Sequence, residues 1–294
     1  MCRFVAYLGK KTIALNEIVS KPNNSLISQS KQAKETKLGL NGDGFGLGWF
    51  ESEEDRNPGL FKSIQPAWND QNLEHLASKI KSHCFIGHVR SSTIGDVNTL
   101  NCHPFSYPPF LFAHNGTIRE FKAIKRQMLS LLSDELFHFA QGQTDSEHFF
   151  ALLIETLKKN KQAYTLNNLA NAFLSAIHTI EGLQKKHSPD LFSRINTVIT
   201  DGQAIMATRY TSRLAETDLS LYYALGDYVD LHDASRTMHS TTAQPGAILI
   251  ASEPLTDFSE QWHEVPANHL LFVDRQLNIT LTPIHPHPED NTRA

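Results

Sequence analysis

Apolar positions along this chain of 294 residues form two groups of alternating or continuous short runs, separated by a block with helical period. The first group lies at residues 3–8, 45–50, 84–90 and 110–114. The second lies at 195–200, 203–209, 219–225, 247–252, 270–274 and 277–282. Between them, Thr117 to Leu132 reads as one helix and Asp145 to Leu157 as another, with Phe149, Leu153 and Leu157 at helical spacing. A third helix places Leu166, Leu169, Phe173, Ile177 and Ile180 on one face. Strands, then helices, then strands predict a single α+β domain, not a row of βαβ units. The expected form is two sheets packed face to face with helices outside. No repeat, low-complexity stretch or linker divides the chain, so the expectation is one domain over residues 2–283 and a tail over 284–294.

Composition narrows the function classes. Lys and Arg number 27 against 31 Asp and Glu, a net charge of −4, and no basic stripe stands out. Nucleic acid is therefore not an expected partner. The opening Met1-Cys2-Arg3-Phe4 lacks the long apolar stretch of a signal peptide, and no apolar run reaches membrane-spanning length. The expectation is a cytoplasmic protein without a membrane partner. Three cysteines, Cys2, Cys84 and Cys102, make a poor disulfide framework. The 15 histidines include no H-x-x-x-H or H-E-x-x-H pair. A zinc set of Cys84, Cys102, His88 and His103 has poor spacing, and the His285-Pro286-His287 tail looks solvated. No metal or cofactor is expected.

Candidate chemistry starts at residue 2. A cysteine directly behind the initiator methionine is small enough to permit methionine removal, which leaves Cys2 with its own free α-amine. Thiol and amine together make a self-contained nucleophile and base, the amine having a pKa of about 7.7–8.0. The competing reading is a small buried hydrophobe. The stretch Gly42-Asp43-Gly44-Phe45-Gly46-Leu47-Gly48-Trp49 fails the dinucleotide fingerprint, because the third glycine falls on Leu47 or Trp49 and no helix follows. It reads as a loop entering a strand, either a plain turn or a place where backbone or ligand comes close. Arg90, at a strand end, is either an ordinary surface arginine or a bidentate clamp for a carboxylate. His88 and His114 read as satisfied core histidines. Asn115-Gly116 reads as a tight turn, and Thr117 with Glu120 makes a capping-box pattern that would put this turn at a helix entrance. Main-chain N–H groups and the Asn115 amide can then converge on a developing oxyanion. Thr144 caps the next helix. Asp145 in its first turn either suits the helix dipole or binds an ammonium group.

Taken in order, these pieces resemble the class II glutamine amidotransferases, which belong to the N-terminal nucleophile hydrolases. The matching strings are MCRF, GDGFGLGWF, GHVRSSTIGDVNTLNCHPF, FAHNGTI and QTDSE. Asn101-x-His103-Pro104-Phe105, Ser252-Glu253-Pro254-Leu255 and Trp262 resemble the stand-alone branch of that family. The resemblance implies a four-layer αββα sandwich. It also implies that Cys2 attacks the side-chain amide of a γ-glutamyl group, while Asn115 and the Gly116 N–H form the oxyanion hole. Arg90 would hold the α-carboxylate, Asp145 the α-ammonium, and Thr93 would help bind the substrate.

A γ-glutamyl head group carries both charges, so an arginine and a carboxylate at fixed distances from a nucleophile suit it. The reaction implied is acyl transfer through a glutamyl thioester, followed by hydrolysis to glutamate. Multidomain members often carry Trp and His where this chain has Ser91 and Ile94, a change at the outer wall of the pocket. Cys102 has no assigned role. The second group of strands is needed to complete the fold, leaving no room for an ammonia-accepting synthase. Independent hydrolysis of glutamine or a γ-glutamyl compound is therefore expected. The alternatives are ammonia delivery to a partner subunit and a catalytically silent γ-glutamyl-binding protein; a homo-oligomer is also compatible with the sequence.

Overall fold

The computed structural model describes residues 2–35, 40–160, 165–187, 192–213, 219–226, 228–229, 238–239, 245–257 and 259–284. Met1, the His285–His287 motif and the rest of the expected tail after Ile284 lie outside the described residues. In chain order the first elements are β1 (Arg3–Ala14), α1 (Asn16–Val19), α2 (Leu26–Lys31), β2 (Phe45–Phe50), β3 (Gly59–Ser63) and α3 (Gln71–Lys79). There follow β4 (Lys81–Val89), β5 (Phe105–Tyr107), β6 (Phe110–Thr117), α4 (Phe121–Ser130), α5 (Asp134–Phe139), α6 (Asp145–Lys159) and α7 (Leu166–Lys185). The last group is β7 (Arg194–Thr200), β8 (Ile205–Arg209), β9 (Tyr222–Gly226), β10 (Tyr228–Val229), β11 (Met238–His239), β12 (Ala247–Ala251), β13 (Trp262–Glu264), β14 (His269–Val273) and β15 (Ile279–Pro283).

Two antiparallel sheets carry the fold. One runs β13-β9-β12-β1-β4-β2-β3 and the other β15-β14-β8-β7-β6-β5, while β10 and β11 pair with each other. Side chains alternate across a strand, so each sheet buries two faces when it is covered on both sides. Phe4, Ala6, Ile86, Leu111, Val198 and Ile250 fill the layer between the sheets. Val5, Tyr7, Phe85 and Leu249 point the other way, onto Ile18, Leu26 and Leu73 of α1, α2 and α3. Phe112, Ile195 and Ile199 point away from the second sheet, onto Ile124, Phe149, Phe173 and Ile177 of α4, α6 and α7. Helices, sheet, sheet and helices make the four layers expected from the sequence. Among the described residues no helix is long and apolar enough to cross a membrane.

One expectation fails where it bears on the site. Asn115-Gly116 is not a turn at a helix entrance; both residues lie inside β6, paired with Asn196 and Ile195 of β7. Gly116 keeps the strand going, since its φ is +140° and an added Cβ would collide with the Arg194 carbonyl oxygen. Only glycine lets the two backbones approach so closely. The Thr117–Glu120 capping box does not form. Thr117 Oγ1 donates to the Gly116 carbonyl at 2.8 Å, and α4 begins after Glu120, which sits in the left-handed region at φ 53°. The predicted helix over 117–132 is thus shorter and is followed by α5.

Candidate functional site

The start of β1 is antiparallel to the end of β4, with Arg3 opposite Val89. This places Cys2 beside the segment that follows β4. The Ser91 N–H donates to the Cys2 sulfur at 3.2 Å, and the thiol faces the Ser91 carbonyl at 3.3 Å. Burial pushes the thiol up from its ordinary value, opposed first by the Ser91 N–H and then by nearby positive charges including Arg90 and Arg3. Strand alternation carries Cys2 to the same side as Phe4, so the thiol sits at one end of the inter-sheet layer.

Arg90 is 2% exposed. Its guanidinium donates to the Asp96 carbonyl at 3.1 Å, the Ser92 hydroxyl at 3.0 Å, and the carbonyls of Ile94 and Gly95 at 3.0 and 3.2 Å. Every partner is neutral, and among the described residues no carboxylate pairs with it. The glycine-rich entry to β2 supports this corner: Gly44 has φ +106° and accepts from the Arg90 N–H, and the Asp43 carboxylate accepts from the Ser92 N–H at 2.7 Å. The close-approach reading of that loop is therefore the one the structure adopts. Thr93 is exposed, and its side chain makes no hydrogen bond among the described residues.

Asp145 opens α6, one residue after the Thr144 cap, whose side chain accepts from the Glu147 N–H as expected. Buried, Asp145 accepts from the Ile118 N–H at 2.8 Å and the Ser146 N–H at 2.9 Å. It has no cationic partner among the described residues. Its position, just beyond the end of β6, puts a buried anion at the same end of the molecule as Cys2 and Arg90. His114 is satisfied as expected, by the Ser146 hydroxyl at 2.8 Å and the Arg194 carbonyl at 3.3 Å. His88 differs: it is fully buried, yet among the described residues neither ring nitrogen has a partner with hydrogen-bond geometry.

Three residues that hold this corner together were quoted in the sequence without a role. Ser252 follows β12 on the inter-sheet side, beyond Ile248 and Ile250. Its hydroxyl accepts from the Phe4 N–H at 3.0 Å and from the Asn115 amide at 2.8 Å. One hydroxyl thereby ties the nucleophile strand of one sheet to Asn115 of the other. Glu253 turns to the opposite face and meets Arg3 at 2.6 Å, both side chains being buried. Arg3 also donates to the Cys2 carbonyl at 3.1 Å. Alternation along residues 248–253 gives the face each takes, but nothing local in the sequence gives its partner. Among the described residues no three His, Cys, Asp or Glu side chains gather in a metal-binding group.

A half-buried thiol at a strand start, two opposite buried charges without ionic partners among the described residues, and an asparagine aimed into the same layer together suit acyl transfer on a zwitterionic amide. Comparison with known proteins agrees with this geometry. A family model for class-II glutamine amidotransferases matches residues 17–293. The chain belongs to that family. It is 38% identical to the probable glutamine amidotransferase DUG3 of Saccharomyces cerevisiae, over 97% of this chain and 84% of the yeast protein. It is 27% identical to a gamma-glutamyl-hercynylcysteine sulfoxide hydrolase of Mycolicibacterium smegmatis, over 97% of this chain and the whole of that protein. Among solved structures, a glutamine aminotransferase class-II domain protein from Silicibacter pomeroyi superposes with a TM-score of 0.64 at 25% identity, covering 97% of this chain and all of that one. As a class-II amidotransferase the chain is an enzyme, and the sequence reading of family and fold holds.

Proposed function

We propose that this amidotransferase hydrolyses the γ-glutamyl amide bond of glutamine or a larger γ-glutamyl compound through a thioester on Cys2. Loss of Met1 frees the Cys2 α-amine, which takes the thiol proton. The thiolate sulfur bonds to the γ-carbonyl carbon. The carbonyl oxygen becomes an oxyanion held by the second N–H of the Asn115 amide and by the Gly116 N–H. As that oxyanion collapses, the carbon–nitrogen bond breaks and the leaving nitrogen takes the proton from the α-amine. Water then attacks the thioester, releasing glutamate and restoring the thiol. Arg90 holds the α-carboxylate, Asp145 the α-ammonium, and Thr93 lines the entrance.

The observation that carries the reading is the pair of buried, oppositely charged side chains at the nucleophile's end, each satisfied only by neutral groups among the described residues. A γ-glutamyl head group supplies the opposite charge to both. The gamma-glutamyl sulfoxide hydrolase similarity supports leaving groups larger than ammonia, as does the small Ser91 beside the thiol. The test is a turnover panel of glutamine, glutathione and γ-glutamyl dipeptides, run on enzyme whose intact mass shows Met1 removed. Glutamate release from several of them, abolished in a folded Cys2→Ala variant, is expected. Activity retained in Cys2→Ala, or in enzyme that keeps Met1, refutes the mechanism. Strict glutamine use that appears only with an added protein assigns the chain to ammonia donation instead.

A further inference from the structure

His88 and His103 stack at the same end of the inter-sheet layer, ring centroids 4.2 Å apart and planes 26° from parallel. Phe105 braces His103 edge-on at 4.7 Å. The two histidines are 0% and 3% exposed, and among the described residues none of their four ring nitrogens has a partner with hydrogen-bond geometry. The Asn115 Oδ1 atom, also buried, is in the same condition. The groups that His88 faces are the Asn115 side chain and the His114 main chain. A buried polar atom left without a partner is costly, so such a cluster beside the reacting centre calls for a role.

The orientation of Asn115 supplies one. A carboxamide turned by 180° exchanges its oxygen and nitrogen, and the wrong end would present a lone pair to the developing oxyanion. Ser252 cannot choose between the two orientations alone. Its hydroxyl accepts from the Asn115 Nδ2 at 2.8 Å, but it also lies 3.3 Å from the Phe4 carbonyl, to which it can donate. A hydroxyl rotates, so it can equally donate to an amide oxygen. An imidazole N–H cannot reverse its role without changing tautomer.

We propose that His88, held by its stack on His103, donates an N–H to Asn115 Oδ1 and so fixes the amide with its free N–H toward the reacting carbonyl. His88 is a positioning residue acting through Asn115, and the proposal rests on the oxyanion role proposed for that residue. Hydrogen bonds of this kind are often long in unliganded sites and tighten with substrate. Burial keeps the His88 ring neutral, holding its pKa down to about 3, which limits it to a single N–H.

The test compares His88→Phe, which keeps the stack and removes the N–H, with Asn115→Ala and the double variant. Losing the donor outright should lower kcat by ~10²–10³, and losing its orientation by roughly a tenth of that. His88→Phe should therefore reduce kcat about 10- to 100-fold with KM within about twofold, and add nothing in the Asn115→Ala background. His88→Gln or His88→Asn, which restore an amide N–H, should recover most of the loss. Unchanged kcat in His88→Phe, a change confined to KM, or additive effects in the double variant would overturn the His88 proposal alone. Unchanged kcat in Asn115→Ala would overturn the oxyanion reading and this proposal with it. Should His88→Phe fail to fold, nitrogen-15 spectra of ring-labelled histidine in the unaltered enzyme decide. A single tautomer with a slowly exchanging N–H supports the proposal, and interconverting tautomers refute it.

Discussion

Replacing Glu253 with alanine tests how firmly the fold holds the nucleophile strand. The Glu253 carboxylate is fully buried and lies 2.6 Å from Arg3, which is 3% exposed. The same carboxylate accepts from the N–H groups of Lys34 at 2.8 Å and Glu35 at 3.2 Å. Removing it leaves a guanidinium in the interior without a counter-charge, and breaking one side of a buried pair costs about 3–5 kcal/mol. Whole domains are stable by only ~5–15 kcal/mol, so this one change should remove a large share of the total. Urea unfolding at pH 7, followed by tryptophan fluorescence, reads the loss as a lower midpoint at constant slope. The double variant Arg3→Met with Glu253→Leu should recover most of the stability, because both desolvation penalties leave together. Lys34 and Glu35 are exposed, so water can take over their N–H groups. Turnover should stay low in the double variant, since the Cys2 carbonyl loses the donor that fixes it. A loss below ~1 kcal/mol in Glu253→Ala, or a double variant no more stable than the single one, refutes the reasoning.

Two further outcomes are expected. Burial holds His88 at about 3 and His103 well below the ordinary 6.5, so the unfolded chain binds protons that the folded chain refuses. Stability should then be complete above about pH 6.5 and fall between there and about pH 3, with His88 alone contributing about 2 kcal/mol of loss at pH 5. The stability difference between pH 7 and pH 5 should shrink by about 2 kcal/mol in His88→Gln, the share of His103 remaining, and an unaltered pH slope counts against the assignment. For the charge pair, Arg90→Ala or Asp145→Asn should weaken γ-glutamyl binding by on the order of 2–5 kcal/mol, because the matching substrate charge is left without its partner. Calorimetric titration with glutamate measures this directly; if Asp145→Asn alters helix stability and leaves binding unchanged, Asp145 serves only the helix dipole.

The sequence was most legible where the physics is local. The long strands and α6 and α7 carry strong period-2 or period-3.6 patterns, and Thr144 caps α6 through its own next turn. Elements with faint patterns were missed. In α3 only Leu73 and Ala77 are buried, and β3 has no buried residue, so neither shows a clear apolar face. Asn-Gly was misread because the pair normally signals a turn, whereas here the glycine is required by the approach of β7. At the site, Cys2, Arg90 and Asp145 stood out through strand ends and a helix start. Ser252 and Glu253 could not, since the residues they hold lie 248 and 250 positions away. Their chemistry exists only after two distant strands meet.

The separation of Arg90 and Asp145 has a consequence for selectivity. Each charge is solvated by fixed dipoles of its own turn, carbonyls and a hydroxyl around Arg90 and N–H groups around Asp145. Such partners keep a buried charge ionised without cancelling it, so its field remains available to a ligand. Had the two side chains paired with each other, every substrate would first have to break an ion pair. In the proposed reading they instead meet the two ends of an amino-acid head group, with binding energy that is the same for every γ-glutamyl compound. Discrimination must then come from groups beyond the scissile bond, where a methylene in an apolar contact is worth only ~1–3 kcal/mol. An enzyme built this way selects the glutamyl half strictly and the leaving group loosely.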